Sequence, residues 1–139
     1  MGCKNTTIIT TTIGLGSIDS PYFVQVHISQ KLCAPVCVNN VPIFAPTFSV
    51  VNFEEVGTGQ YVANIKVEGI LYYTPCEGNT YATHPQILNG TFAVPFTSTT
   101  APTSVTISAG TAINSMVATS RQNYSRDFVS EIPINLTIA

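Results

Sequence analysis

The chain has 139 residues, the usual length of one compact domain, and only 9% of them are charged, against about 25% in typical soluble domains. The formal net charge is −2 and the five cations are scattered, which argues against nucleic acid as a partner. No run approaches the roughly 18 consecutive apolar residues of a membrane span, so we expect no membrane partner. A surface with so few charges repels other copies of the chain only weakly, so such copies could approach it closely.

The first residues predict an arm rather than part of a core. Residues 1–7 are polar and indicate a flexible N-terminal arm, followed by a single β-sandwich domain over residues 8–139. The arm lacks the apolar segment of a secretory signal peptide and retains Met1. Either a signal was removed before the numbering began or the protein leaves its cell by lysis or another route. The retained Met1 favours the second, so we expect an extracellular location or one at the spore or cell surface.

Short runs of alternating apolar residues, separated by Gly, Pro and Asn, predict strands throughout the chain. The first two runs are 6–13 and 22–29. Residues 30–46 contain three prolines and two cysteines and predict a long loop or an edge segment. A third strand is predicted over 47–56, closed by a hairpin-like turn at 57–59.

The clearest strand follows this turn, with four alternate residues predicted to face inward: Tyr61, Ala63, Ile65 and Val67. After Gly69 the alternation loosens, which predicts a bulge or a section buried on both faces. Within residues 86–97, Asn89-Gly90 is a strong hairpin signal, and Pro95 predicts an edge strand.

The last third of the chain predicts three more strands. Residues 103–108 and 111–119 suggest a hairpin around Ala109-Gly110, and 128–138 alternate strongly. The total is about eight strands. The predicted fold class is therefore all-β, as a jelly roll or a two-sheet β-sandwich.

The four cysteines are the disulfide candidates: Cys3, Cys33, Cys37 and Cys76. Their spacing matches no common zinc motif, so we expect no metal site. If residues 33–37 were fully extended, their ends would lie about 13 Å apart, too far for a disulfide. Pro35 could shorten this distance, so the pairing stays open. Because no core buries it, Cys3 suits a covalent link to a neighbouring molecule in an oxidising setting.

No constellation for catalysis stands out. His27 and His84 lie in different segments, and Glu54 and Glu55 would point to opposite faces of a strand, which is wrong for a paired acid and base. Nucleophile elbows and glycine-rich phosphate loops are absent from the sequence. We therefore expect no enzyme activity, no cofactor and no small-molecule substrate.

A short polar arm with Cys3 near Met1, followed by a Thr-rich domain of about eight strands with few charges, resembles the subunits of bacterial endospore appendages. The resemblance implies a jelly-roll subunit that stacks into helical fibres and is crosslinked through N-terminal cysteines. Such arms often carry a pair of cysteines, whereas this one carries a single cysteine.

The leading hypothesis is a structural subunit that assembles with copies of itself into an extracellular fibre or spore-surface layer, crosslinked by disulfides through the arm. One alternative is a virion structural protein, such as a capsid decoration or fibre protein. Another is a module that binds carbohydrate or a host protein through an aromatic patch. The tyrosines proposed for that patch are Tyr61, Tyr72, Tyr73 and Tyr81.

Overall fold

The computed structural model describes residues 7–13, 22–38, 40–74, 84–117 and 124–139. In these residues the chain forms nine strands and no helix. The strands are β1 (Thr7–Ile13), β2 (Tyr22–Cys37), β3 (Ile43–Phe44), β4 (Thr47–Gly57), β5 (Gln60–Tyr73), β6 (His84–Thr97), β7 (Val105–Ala109), β8 (Ile113–Met116) and β9 (Tyr124–Ile138).

These strands form two antiparallel sheets. Sheet A has the order β1-β2-β9, and the far side of β9 pairs with both β7 and β8. In sheet B the long strand β5 pairs with β6 on one side and with β3 and β4 on the other. At the sides of the sandwich β1 lies beside β6, and β4 lies beside β7. The predicted all-β class and two-sheet β-sandwich are confirmed.

The core lies between the sheets and follows the alternation of the sequence. On β5 the predicted inward positions are all buried, and β2 and β9 alternate in the same way. The Phe44 ring of sheet B meets the Phe128 ring of sheet A edge-on, with 5.9 Å between ring centroids. Fully buried large side chains from both sheets complete the core: Val26, Ile28, Leu32, Val36, Ile65, Leu71, Leu88, Ile132, Ile134 and Leu136.

Of the two predictions for residues 30–46, the long loop is wrong, whereas the edge segment is confirmed, because among the described strands β1 pairs with β2 only up to Gln30 and β3 pairs only with β5. Strand β2 continues to Cys37, and the short strand β3 follows within the same stretch. Pairing with β9 is interrupted between Lys31 and Val36 and then resumes. Pro35 falls inside this bulge, where the ladder needs no N–H, so the proline does not end the strand.

The turn predicted at 57–59 is confirmed. Gly57 pairs with Gln60, and the two residues between them connect β4 to β5. Gly59 has φ = 72°, a left-handed conformation that only glycine adopts at little cost. The edge position predicted from Pro95 is also confirmed, because β6 pairs only with β5 among the described strands.

Two predictions that depend on glycines are wrong. Asn89 and Gly90 lie in the middle of β6, opposite Glu68 and Val67, so no hairpin forms there. The bulge predicted after Gly69 is also wrong, because β5 and β6 keep one register over all fourteen residues of each strand. The burial alternates up to Tyr73, so this section is not buried on both faces either.

The hairpin predicted around Ala109-Gly110 is wrong as well, because β7 and β8 both pair with β9 and form one interrupted edge strand. The interruption lies beside Pro133, whose carbonyl accepts a hydrogen bond from Gly110 N–H at 2.7 Å. In an antiparallel strand the N–H and C=O of a residue point to the same side. Pro133 has no N–H, so it cannot donate a hydrogen bond toward β7 and β8. The ladder breaks at this position.

Candidate functional site

Two of the disulfide candidates lie near the end of β2. Cys33 and Cys37 are both disulfide-bonded. Cys33 is exposed and Cys37 is half-buried, so this segment lies at the surface of the sandwich. Cys3 and Cys76 lie outside the described residues. Disulfides of this kind persist in oxidising surroundings, such as the extracellular space.

A polar network holds the bulge that contains Cys33. Gln86 of β6 is buried, and its Oε1 accepts hydrogen bonds from Tyr73 Oη at 2.8 Å and from Cys33 N at 3.2 Å. Its Nε2 donates to the Lys31 carbonyl at 3.1 Å. Because Gln86 belongs to sheet B and the bulge to sheet A, this amide ties the two sheets together.

Arg126 supports the same bulge from β9. Its Nε donates to the Leu32 carbonyl at 3.0 Å, and its Nη2 donates to the Cys33 carbonyl at 3.3 Å. The guanidinium thus bonds two carbonyls of the segment in which pairing with β9 is interrupted. Sequence reasoning missed both Arg126 and Gln86. Gln86 could have been noticed in the sequence, because it lies two positions before Leu88 and therefore on the same inward face of the strand. A polar residue on that face indicates a buried hydrogen bond.

Charged side chains are confined to a few strands. In the described part of the chain, all Lys, Arg, Asp and Glu residues lie on β2, β4, β5 or β9, and β2, β5 and β9 each have neighbours on both sides. Of the strands that border the sheets, β4 carries Glu54 and Glu55, whereas β1, β3, β6, β7 and β8 contain no such residue. Proteins that stay monomeric commonly place charges on edge strands to prevent pairing with other chains. Those five strands lack this protection.

The outer face of sheet A carries two charged pairs between β2 and β9, and the exposed Ile8, Phe23 and Ile113 lie on the same face. Lys31 Nζ lies 2.8 Å from Asp127 Oδ1, and His27 Nδ1 lies 3.3 Å from Glu131 Oε1. Each pair joins residues directly opposite each other on β2 and β9. These groups are well exposed, so each pair contributes little to stability.

On the outer face of sheet B, four exposed apolar side chains lie next to one another at the end nearest β3. Ile43 lies opposite Tyr72, and Ile70 lies opposite Ile87, so the four side chains form two adjacent cross-strand rows. Their exposed fractions are 70%, 44%, 41% and 60% in that order. We call these four residues the outer patch. With Ala45, Thr47, Glu68 and Gly69 they line an open groove of about 530 Å³.

The tyrosines proposed for an aromatic patch do not come together. Tyr61 and Tyr73 are buried on the inner face of β5, whereas Tyr72 points outward. Tyr81 lies outside the described residues. Tyr61 stacks on Phe96, with ring centroids 5.4 Å apart. Burial, and then the negative charge of Glu55, raise the pKa of Tyr61 above its ordinary value of 10.0.

The remaining candidates stay separate. Glu54 lies opposite the outward Val62, and Glu55 lies opposite the inward Tyr61, so the two acids point to different faces, as their spacing predicts. His27 faces Glu131 on sheet A, and the His84 side chain lies outside what the structure describes. Within the described residues no three His, Cys, Asp or Glu side chains group closely enough to hold a metal ion. The same residues contain no helix that could cross a membrane.

Comparison with known protein families, with curated proteins and with solved structures found no match for this chain.

Proposed function

We propose that the protein is a structural subunit that assembles with copies of itself into an extracellular fibre or spore-surface layer. Disulfides through the N-terminal arm would crosslink the subunits, with Cys3 as the arm's contribution. The observation that carries this proposal is the distribution of charge. Five strands that border the sheets offer backbone and apolar groups with no charged side chain to repel another chain.

Two further observations support the proposal. The disulfide bonds of Cys33 and Cys37 suit a protein that works outside the reducing cytosol. In addition, Cys33 is exposed, so a bond at this position is open to exchange with the thiol of an arriving neighbour. A subunit with these properties could first associate through its surfaces and then be fixed by disulfide exchange.

The experiment is gel electrophoresis in denaturing detergent with and without a thiol reductant, combined with negative-stain electron microscopy. We expect a ladder of covalent oligomers that collapses to one band on reduction, and filaments or layers in the images. A single monomer band under both conditions, with no assemblies in the images, would refute the proposal.

The Cys3→Ser variant separates this proposal from a virion structural protein. In a disulfide-crosslinked fibre the variant should lose the ladder, because the arm no longer carries a thiol. A virion component that assembles without disulfides should form intact particles with or without Cys3. Intact closed particles from the variant would therefore favour the virion alternative.

A further inference from the structure

We propose that the outer patch is an interface at which two copies of the chain pack face to face around a two-fold axis. This inference rests on the proposed self-assembly and names one of the surfaces that would perform it. Three properties of these four side chains support it: their position, the size of the surface they form and the charges around them.

The patch is large enough to matter. Four side chains with the exposures given above present apolar surface on the order of 400 Å², the size of the largest patch on a typical monomer, which is often functional. A two-fold interface uses the same patch from both subunits. With its rim the contact would bury roughly 1,000 Å² in total, near the lower limit for a specific interface.

The shape favours a second sheet as the occupant. The patch lies on three neighbouring strands, β3, β5 and β6, and the groove above them is open. Small-molecule sites are usually concave and bury most of the ligand, which this surface would not. Sheets pack well on sheets, with side chains from the two faces interdigitating. Another copy of sheet B offers such a face with matching apolar rows.

The charges also permit a two-fold arrangement. Among the described residues, Glu68, two positions before Ile70, is the one charged residue that lines the groove, and Lys66 Nζ lies 3.6 Å from its Oε2. We place the two-fold axis parallel to the sheets, perpendicular to the strands and through the centre of the outer patch. Each apolar row of one copy then faces an apolar row of the other. In this arrangement the two Glu68 residues lie about 20 Å apart along the strand direction. This distance exceeds the Debye length of about 8 Å at physiological salt, so like charges do not oppose the contact.

A two-fold contact closes at two copies. A fibre therefore needs a second contact, which in the proposed function is the disulfide link through the arm. The two contacts can be tested separately, because reduction removes the covalent link and leaves the outer patch unchanged.

The experiment is sedimentation velocity in reducing buffer over a concentration series, with circular dichroism to confirm that each variant is folded. We expect the wild type to be a dimer and Ile87→Lys to be a monomer, with the dissociation constant raised at least tenfold. Ala93→Lys is the matched control, since residue 93 is exposed on the outer face of the same strand, about 20 Å further along. It should remain a dimer.

Each outcome decides between the proposals. A dimer of Ile87→Lys as tight as that of the wild type would place the interface elsewhere and overturn this inference. A wild type that is monomeric when reduced but forms the covalent ladder when oxidised would also overturn it, while the proposed function stands. A dimer that depends on Ile87, without any ladder or filament, would support the outer patch and refute the fibre.

Two further measurements keep the test conclusive. If reduction unfolds the chain, Cys3→Ser in non-reducing buffer replaces the reductant. If Ile87→Lys does not fold, Ile87→Thr keeps a β-branched residue and should weaken the dimer by a smaller factor. A monomeric wild type that instead bound a glycan on an array, with loss of binding in Ile87→Thr, would assign the patch to another occupant and overturn the inference.

Discussion

Ile9 of β1 occupies the space into which a side chain at Gly90 of β6 would point. A Cβ atom built at position 90 would lie 2.5 Å from Ile9 Cδ1, closer than real side-chain contacts. The two strands belong to different sheets, so this pair sets how closely the edges of the sandwich approach. The glycine of Asn89-Gly90 therefore serves interstrand packing rather than a turn.

Gly90→Ala should destabilise the fold slightly, by up to about 1 kcal/mol, because the added methyl group meets Ile9 Cδ1 and the end of the Ile9 side chain must rotate away. Ile9→Val removes that terminal carbon at a cost of about 0.5–1.5 kcal/mol by itself. In the Ile9→Val background, Gly90→Ala should cost nothing or should stabilise slightly, since alanine restricts the unfolded chain more than glycine does. The measurement is the free energy of unfolding in urea for all four members of the cycle. Equal costs of Gly90→Ala in both backgrounds would contradict the proposed contact.

This pair illustrates what local sequence could and could not predict. Strand alternation over residues 61–67 correctly indicated the buried face, because side-chain period depends only on the strand itself. Gly59 and Gly90 both follow residues common in turns, yet only Gly59 has a positive φ. Gly90 is explained by Ile9, 81 positions earlier, and no local pattern carries that information.

Gln86→Leu should destabilise the protein by roughly 2–4 kcal/mol. The substitution removes the acceptor for the Tyr73 hydroxyl and the Cys33 N–H, and unsatisfied donors at buried sites cost about 1–3 kcal/mol each. Tyr73→Phe removes only one donor and should cost about 1 kcal/mol. Gln25→Leu, at an exposed position of β2, is the control and should stay within about 0.5 kcal/mol of the wild type. Chemical denaturation measures all three, and a neutral Gln86→Leu would show that the network does not stabilise the bulge.

Arg126→Lys should accelerate reduction of the disulfides at Cys33 and Cys37 severalfold. A lysine presents one ammonium group and cannot bond the Leu32 and Cys33 carbonyls as the guanidinium does, so the bulge should open more often. The measurement is the rate of thiol-dependent reduction, followed by alkylation and mass spectrometry. Lys66→Met, on the outer face of sheet B, is the control and should leave the rate unchanged. Equal rates for wild type and Arg126→Lys would show that Arg126 does not limit access to the disulfides.

The site was less predictable than the fold, for a physical reason. The cysteines could be named from the sequence because a thiol has few alternative structural roles. Arg126 and Gln86 act on Cys33 from strands that are distant in the sequence, and their roles depend on the register of β2 with β9 and of β5 with β6. The outer patch depends on register in the same way, because Ile43 and Ile87 become neighbours of Tyr72 and Ile70 only through β5.

The raised pKa of Tyr61 predicts a specific loss of stability in alkali. Below pH 10 the Tyr61 phenol is protonated in both the folded and the unfolded chain, so its contribution to the free energy of unfolding is fully present there. Above pH 10 the unfolded chain releases the proton first, and the contribution falls as the pH rises toward the higher pKa of the folded state. Tyr61→Phe keeps the ring that stacks on Phe96 and removes the titrating group.

The stability difference between wild type and Tyr61→Phe should therefore be constant from pH 7 to about pH 9.5 and should then shift in favour of Tyr61→Phe. The other five tyrosines titrate in both proteins, so their effects cancel in the difference. Glu55→Gln removes a neighbouring negative charge and should reduce the shift without abolishing it, because burial is the larger cause. Urea midpoints measured across this pH range test the prediction. Parallel curves for wild type and Tyr61→Phe up to pH 11 would show that the Tyr61 hydroxyl titrates alike in the folded and unfolded chains.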